Sequence, residues 1–266
     1  MRTVLWHTLR ESYNRRMGLV LLIISVMVAG TYLWFPRFVT RPDGSIVVYI
    51  SEKLQGDAAG YVKTLFVNLL QLSGTLWLMV GAFAAAPLLT THMEKGWVDL
   101  MLSKGVPRWQ VFLGRWLGAL ILFIASMALM SGIPALYFWA RTGVTPGRFF
   151  AAIGVIVLSF AALLALISMA HASQAIPIMF AILCMSLAPV LAMREHMLYD
   201  MIKAKWAQWL IDWAYRILPK TSELSQMARA YLNTGTIKEW WPVWSSGLFI
   251  LGALALTAWL FHRKSY

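Results

Sequence analysis

Long apolar runs alternate with shorter polar segments along this chain. The runs fall at about residues 18–35, 64–89, 111–140, 149–170, 175–193 and 243–261. A helix rises about 1.5 Å per residue, so about 20 apolar residues cross the hydrocarbon of a bilayer. Lipid offers no partner to an unpaired backbone group, which makes the helix the natural form for such a run. The pattern predicts an all-α polytopic membrane protein, a single domain over residues 1–266 with six transmembrane helices.

The segments around the runs refine this outline. Residues 1–17 carry Arg2, Arg10, Arg15 and Arg16 beside Val4, Leu5, Trp6, Leu9 and Tyr13, which predicts a basic amphipathic helix on the membrane surface ahead of the first span. No small-residue cleavage site follows the first run, which favours a retained helix over a cleaved signal. Residues 36–63 read as a modest loop, with turn chemistry at Arg41-Pro42-Asp43-Gly44 and a short strand over Ser45–Ile50. In the second run Asn68, Gln71 and Thr75 share one helical face, and polar groups in hydrocarbon must point at protein or water. That face reads either as interhelical hydrogen bonding or as the lining of a path.

The third run opens with Gly114 and Gly118, a spacing that lets helices approach closely, and Pro134 predicts a kink. Gly143, Pro146 and Gly147 mark a tight reversal. Only His171-Ala172-Ser173-Gln174 separates the fourth and fifth runs, so these spans form an antiparallel hairpin. In the long segment 194–241, Leu198, Ile202, Trp206, Trp209, Trp213 and Ile217 recur at helical spacing and predict an interfacial helix with an aromatic face. Pro219 ends it, and Leu224, Met227, Ala228 and Tyr231 mark a second short helix. Trp240, Trp241 and Trp244 form an aromatic belt before the sixth span.

Composition agrees with a membrane protein: 60% of residues are hydrophobic and 13% charged. The one cysteine, Cys184, excludes a disulfide framework. A net charge of +12 raises nucleic acid as a partner, but the basic residues flank spans, where anionic membrane lipids account for them. Six spans place both termini on one side. With termini inside, ten of the 23 lysines and arginines fall inside and thirteen outside, so the count does not orient the chain. Arg15-Arg16 and Arg263-Lys264, directly abutting spans, favour cytoplasmic termini.

The chain carries little reaction chemistry. It has no G-x-x-x-x-G-K-[S/T] loop to cradle nucleotide phosphates and no H-E-x-x-H, and its five histidines are scattered without metal-ligand spacing. No catalytic residue, metal site or bound cofactor is nominated. Any ATPase that drives this chain is a separate polypeptide.

The stretch Thr90–Arg115 is the charged interruption between the second and third runs, with Glu94, Lys95, Asp99, Lys104, Arg108 and Arg115. Trp97, Leu100, Met101 and Lys104 keep helical spacing, which places the segment at a water interface. Glu94, Gly96, Leu102, Ser103, Val106, Pro107, Arg108, Gly114 and Arg115 resemble the loop pattern of type-2 permeases of ATP-binding-cassette exporters, although Trp97 stands where that pattern has Thr. The basic amphipathic start, six spans, the short hairpin between spans four and five, and Ile-Leu-Pro-Lys-x-Ser-Glu-Leu at Ile217–Leu224 extend the resemblance over nearly the whole chain.

The resemblance implies a multi-pass protein of the cell (inner) membrane with cytoplasmic termini, paired with a second permease copy and with cassette ATPase subunits that hold ATP and Mg. It makes Glu94, Gly96, Asp99, Ser103, Pro107 and Arg108 the ATPase-coupling loop, and it leaves Asn68, Gln71 and Thr75 as candidates for a translocation path. The expected function is export of a substrate by partner ATP hydrolysis. Two other classes stand beside it: an integral membrane enzyme with a site assembled from distant residues, and a non-transporting membrane scaffold.

Overall fold

The computed structural model describes residues 2–14, 16–43, 45–50, 53–90, 107–169, 175–195 and 198–263. Helix α1 (Arg2–Asn14) meets α2 (Met17–Trp34) at a 68° bend. Arg16 turns the corner in the left-handed region at φ 60°, and its carbonyl still accepts from the Val20 amide at 2.9 Å. Inside the elbow a Cβ on Gly18 would collide with the Ser12 hydroxyl, so the bend requires glycine there.

Strands replace the loop expected after α2. β1 (Pro36–Thr40), β2 (Ile46–Ile50) and β3 (Lys53–Asp57) form an antiparallel sheet in that order, with Pro36 opposite Ile50 and Thr40 opposite Ile46. The strand read at residues 45–50 is real and has two partners, so the predominantly helical fold carries one small sheet. The 41–45 turn closes through the Arg41 amide on the Ser45 carbonyl at 2.8 Å, while the Ser45 amide donates to the Asp43 carboxylate at 2.9 Å. Phe38 of β1 packs on Tyr137 and Phe138, with ring centroids 6.2 and 5.9 Å away, so the sheet covers one end of the helices.

The second run is longer than its apolar stretch. α3 (Ala58–Leu72), a π-helical segment Ser73–Trp77 and α4 (Leu78–Thr90) follow one another directly. The third comprises α5 (Arg108–Met127), a π-helical segment Ala128–Gly132 and α6 (Ile133–Thr142). The proline expected to kink this span lies just past its wide turn. Pro134 has no N–H for the Met130 carbonyl, and the preceding residues adopt the wider winding. Gly143 ends α6 at φ 72°, a left-handed cap suited to glycine.

Beyond it come α7 (Gly147–Met169), α8 (Ala175–Ala192), a four-residue turn Leu198–Met201, α9 (Lys205–Ile217), α10 (Thr221–Thr234) and α11 (Trp241–Arg263). The single interfacial helix expected from Leu198 to Ile217 is therefore broken. Ala204 is extended at ψ 114°, and the side-chain amide of Gln208 bridges the break by donating to the Ile202 carbonyl at 2.8 Å. Among the described residues, Ala58–Leu89, Trp109–Thr142, Gly147–Met169 and Trp241–Leu260 are long and apolar enough to cross a membrane. The bent α1–α2 pair is a fifth candidate, and Ile176–Ala192 is a shorter apolar helix. The protein is a helical membrane protein.

At its centre α7 packs against α4, α5, α8, α10 and α11. Lipid tails are as apolar as leucine, so close van der Waals contact rather than exclusion from water holds such helices together. The rings of Phe123 and Phe160 stack at 3.6 Å, and a Cβ on Gly81 would come within 2.6 Å of Phe123. The Trp77 indole N–H donates to the Ser126 hydroxyl at 3.1 Å, tying the two long spans together.

Candidate functional site

The first feature lies where α4 ends and α5 begins, on either side of the segment 91–106. α1 lays Val4 and Thr8 along α5 and turns Ser12 to Gly18 of α2, all three buried. A Cβ on Gly114 would meet Val4 Cγ1 at 2.9 Å, and one on Gly118 would meet Thr8 Cγ2 at 2.8 Å. The glycine spacing thus serves contact within the chain. The Thr8 hydroxyl donates to the Val4 carbonyl at 2.9 Å, so a polar residue enters this contact without a stranded donor. The exposed side of α1 carries Trp6 and Tyr13.

Beside the glycines sits Arg115, only 4% exposed. Its guanidinium donates to the Leu88 carbonyl at 3.0 Å and reaches the Glu11 carboxylate at 3.5 Å. Leu88 lies in the last turn of α4, where carbonyls have no partner within the helix. One side chain on α5 therefore caps α4 and pairs with α1. Three elements meet on a single cation, next to both ends of the charged segment.

The second feature is a cavity of about 460 Å³ between the middle of the second span, α8 and α10. Two of its walls are irregular. The span is π-helical at Ser73–Trp77, and α8 carries Pro189 inside it. α10 inserts into the irregularity: Ser225 donates to the Gly74 carbonyl at 3.3 Å and to the Thr221 carbonyl at 2.9 Å. A Cβ on Gly74 would stand 3.0 Å from the Ser225 Oγ, which is why the bulge tolerates so close a neighbour. The walls pair Leu76, Met79 and Met185 with Thr75, Ser222 and Arg229. Arg229 Nε is buried with no hydrogen-bond partner among the described residues. Leu76, Met79 and Ser186 are exposed, so the cavity opens sideways. It suits a molecule with an apolar body and a polar or anionic end.

A third cluster fastens α9 to α10. The Arg194 Nε donates to Asp212 at 3.1 Å, and the Tyr199 hydroxyl donates to the same carboxylate; the hydroxyl first, then Arg194, holds Asp212 below the usual carboxylate range. Lys220 Nζ lies 3.3 Å from the Tyr215 ring centroid, 5.4 Å from that of Trp241 and 4.0 Å from Glu223. Its side chain is 2% exposed and its ammonium has no hydrogen-bond acceptor among the described residues. Burial lowers Lys220 to about 8, and burial, reinforced by the hydrogen bond to Glu223, raises Tyr215 to about 12. On the opposite face of α9, Trp206, Trp209, Trp213 and Ile217 are exposed.

Of the coupling residues expected from sequence, Glu94, Gly96, Asp99 and Ser103 lie outside the described residues. Pro107 is exposed and extended, and its carbonyl accepts from the Gln110 amide at 2.9 Å; Arg108 is the first residue of α5. Asn68, Gln71 and Thr75 are all exposed on the second span, as their shared face requires, but only Thr75 lines the cavity. Arg115 closed the sequence motif without being nominated, and Glu11, Ser225 and Arg229 were missed. The one sequence sign of the latter pair was serine and arginine recurring on the apolar side of a short helix. Among the described residues no group of three His, Cys, Asp or Glu could hold a metal ion. Compared with known proteins, the chain matches no family model and no curated sequence.

Proposed function

We propose that the chain is the transmembrane permease subunit of an ATP-binding-cassette exporter of the cell membrane. It spans the membrane six times with cytoplasmic termini and works beside a second permease copy. A separate ATPase holds ATP and Mg and docks on the segment 91–106, with Glu94, Gly96, Asp99, Ser103, Pro107 and Arg108 as its contact. The clasp at Arg115 carries this reading. A push on a charged segment between two spans does work only if the spans cannot yield separately, and the Leu88 carbonyl, Arg115 and Glu11 bind α4, α5 and α1 into one lever. The π-helical segments Ser73–Trp77 and Ala128–Gly132 sit midway along the same two spans, where a lever needs a pivot.

The lateral cavity at one pivot supplies a place for cargo, with apolar walls, Thr75 and Arg229 selecting an amphipathic molecule. The exposed stripe of Asn68, Gln71 and Thr75 would be costly against lipid and extends the path for that cargo along the second span. No covalent chemistry is assigned to the chain.

The test uses proteoliposomes containing this chain and the ATPase that copurifies with it. Glu94→Ala and Arg115→Ala are expected to leave the protein inserted and to reduce permease-stimulated ATP hydrolysis roughly fivefold or more, the scale of a coupling free energy between two sites. Transport-coupled hydrolysis that is unchanged in both variants refutes the proposal. So does labelling of Glu94→Cys by an impermeant maleimide from outside intact cells.

A further inference from the structure

A second opening lies on the far side of α10 from the lateral cavity. It is a groove of about 570 Å³ between α7, α10 and the start of α11, with Ala151, Gly154 and Leu158 along one wall, Tyr231 on another and Trp240 at the end. The small residues shape it. Nothing lies within 4 Å of where a Gly154 Cβ would be, so that position faces open groove, and both Ala151 and Gly154 are exposed. α7 and α11 are both long and apolar enough to cross a membrane, so the groove between them faces lipid.

Its mouth is cationic. The Arg148 guanidinium lies against Gly235, which lines the groove: a Cβ on Gly235 would be 2.7 Å from Arg148 Cζ. Arg148 is exposed and pairs with no carboxylate among the described residues. Arg141 is exposed on the other side of the same reversal, and no Asp or Glu occurs between residues 100 and 194. Lys238 and Glu239 follow Ile237 at the opposite lip and offset one another. Trp240, 55% exposed, stands at the same level, the depth at which tryptophan prefers the headgroup region.

We propose that this groove seats one anionic phospholipid, with an acyl chain lying against Gly154 and the phosphate held by Arg148. A guanidinium that pairs with no carboxylate among the described residues meets phosphate through charge-assisted hydrogen bonds, and an apolar channel that reaches the headgroup level admits the chain attached to that phosphate. The seat requires only that the protein sit in a bilayer. It stands or falls independently of any ATPase, and the lateral cavity on the other side of α10 has no part in it.

The full-length protein, purified and exchanged into mixed phosphatidylglycerol and phosphatidylcholine nanodiscs, is released into the gas phase and its retained lipids weighed. Wild type is expected to retain phosphatidylglycerol preferentially. Arg148→Glu should reduce that preference roughly tenfold, the loss of one charge-assisted contact. Gly154→Phe, which fills the channel, should abolish retention of either lipid, whereas Gly154→Ala should keep it. Should Gly154→Phe fail to fold, wild type is photolysed with phosphatidylglycerol carrying a diazirine on its acyl chain, and adducts are expected on residues 151–158 and 227–240. Equal retention of the two lipids by wild type, an unchanged preference in Arg148→Glu, or adducts confined to other segments overturns the proposal.

Discussion

Removing the Arg115 clasp tests whether one side chain joins α1, α4 and α5. Arg115→Met keeps the apolar stem and deletes the guanidinium, and Glu11→Gln keeps the shape of the partner while deleting its charge. The side chains are 5% and 19% exposed, so solvent screens the pair only in part. A hydrogen bond to a charged group contributes about 1.5–3 kcal/mol, and the 3.0 Å contact to Leu88 is of that kind. The Glu11 contact is longer, at 3.5 Å, and partly wet, which places it nearer about 1 kcal/mol. Arg115→Met should therefore destabilise by about 3 kcal/mol and Glu11→Gln by about 1 kcal/mol. The double variant should fall short of their sum by about 1 kcal/mol, because the pair is lost only once. Denaturant unfolding in detergent, followed by tryptophan fluorescence, yields all four values. Additivity within about 0.3 kcal/mol would show that the two side chains do not cooperate, and the lever built on them would fail.

Three other outcomes are expected. Between pH 8 and 10 the unfolded chain still binds a proton at Lys220 that the folded protein has released, so stability rises with pH there; above 10 Tyr215, held protonated in the fold up to about 12, reverses the slope. Melting curves at stepped pH should show this maximum, and Lys220→Met should flatten the rise; a wild-type midpoint that falls from pH 8 to 10 would contradict the buried ammonium. Gly118→Leu drives a side chain into Thr8 and should cost about 1–3 kcal/mol, with α1 becoming sensitive to protease while α7 stays protected; an unaltered digestion pattern would remove α1 from that groove. Ser225→Ala deletes the donor to the Gly74 carbonyl and should cost about 1 kcal/mol and speed amide hydrogen exchange at residues 73–78; unchanged exchange there would mean that α10 does not hold the π-helical segment.

The apolar helices were legible because lipid imposes one demand, a long apolar helix, and α2, α4, α5, α7, α8 and α11 each overlap an expected run. What lay beyond the apolar runs was less legible. α3 begins at Ala58 rather than near 64 because Gly60 and Lys63 interrupt the apolar run without ending the helix, which already buries Ala58 and Val62. β2 announced itself through Ile46, Val47 and Val48, whereas β1 and β3 are strands only because β2 lies between them, with an irregular register at Val48/Tyr49. Gly114 and Gly118 said that something comes close, and no local pattern could name α1 as that something.

The candidate site shows the same division more sharply. Thr75 stood out as a polar residue on an apolar run, read as bonding to another helix or lining a path; its hydroxyl donates within its own helix, to the Gln71 carbonyl at 2.8 Å. Arg115 did not, since a cation at a span end has the same local signature whether it meets a headgroup or, as here, a carboxylate 104 residues away. Ser225 is the instructive case. α10 has a polar composition that alone would place it in water, yet Thr221, Leu224, Ser225, Ala228 and Leu232 are buried. Its hydroxyls can enter the bundle because the wide turn at Ser73–Trp77 leaves the Gly74 carbonyl open to a donor, and that turn can persist beside apolar helices because Ser225 supplies one. Neither segment's burial is favourable without the other, so the cavity between them is a property of the pair and has no signature in either stretch of sequence.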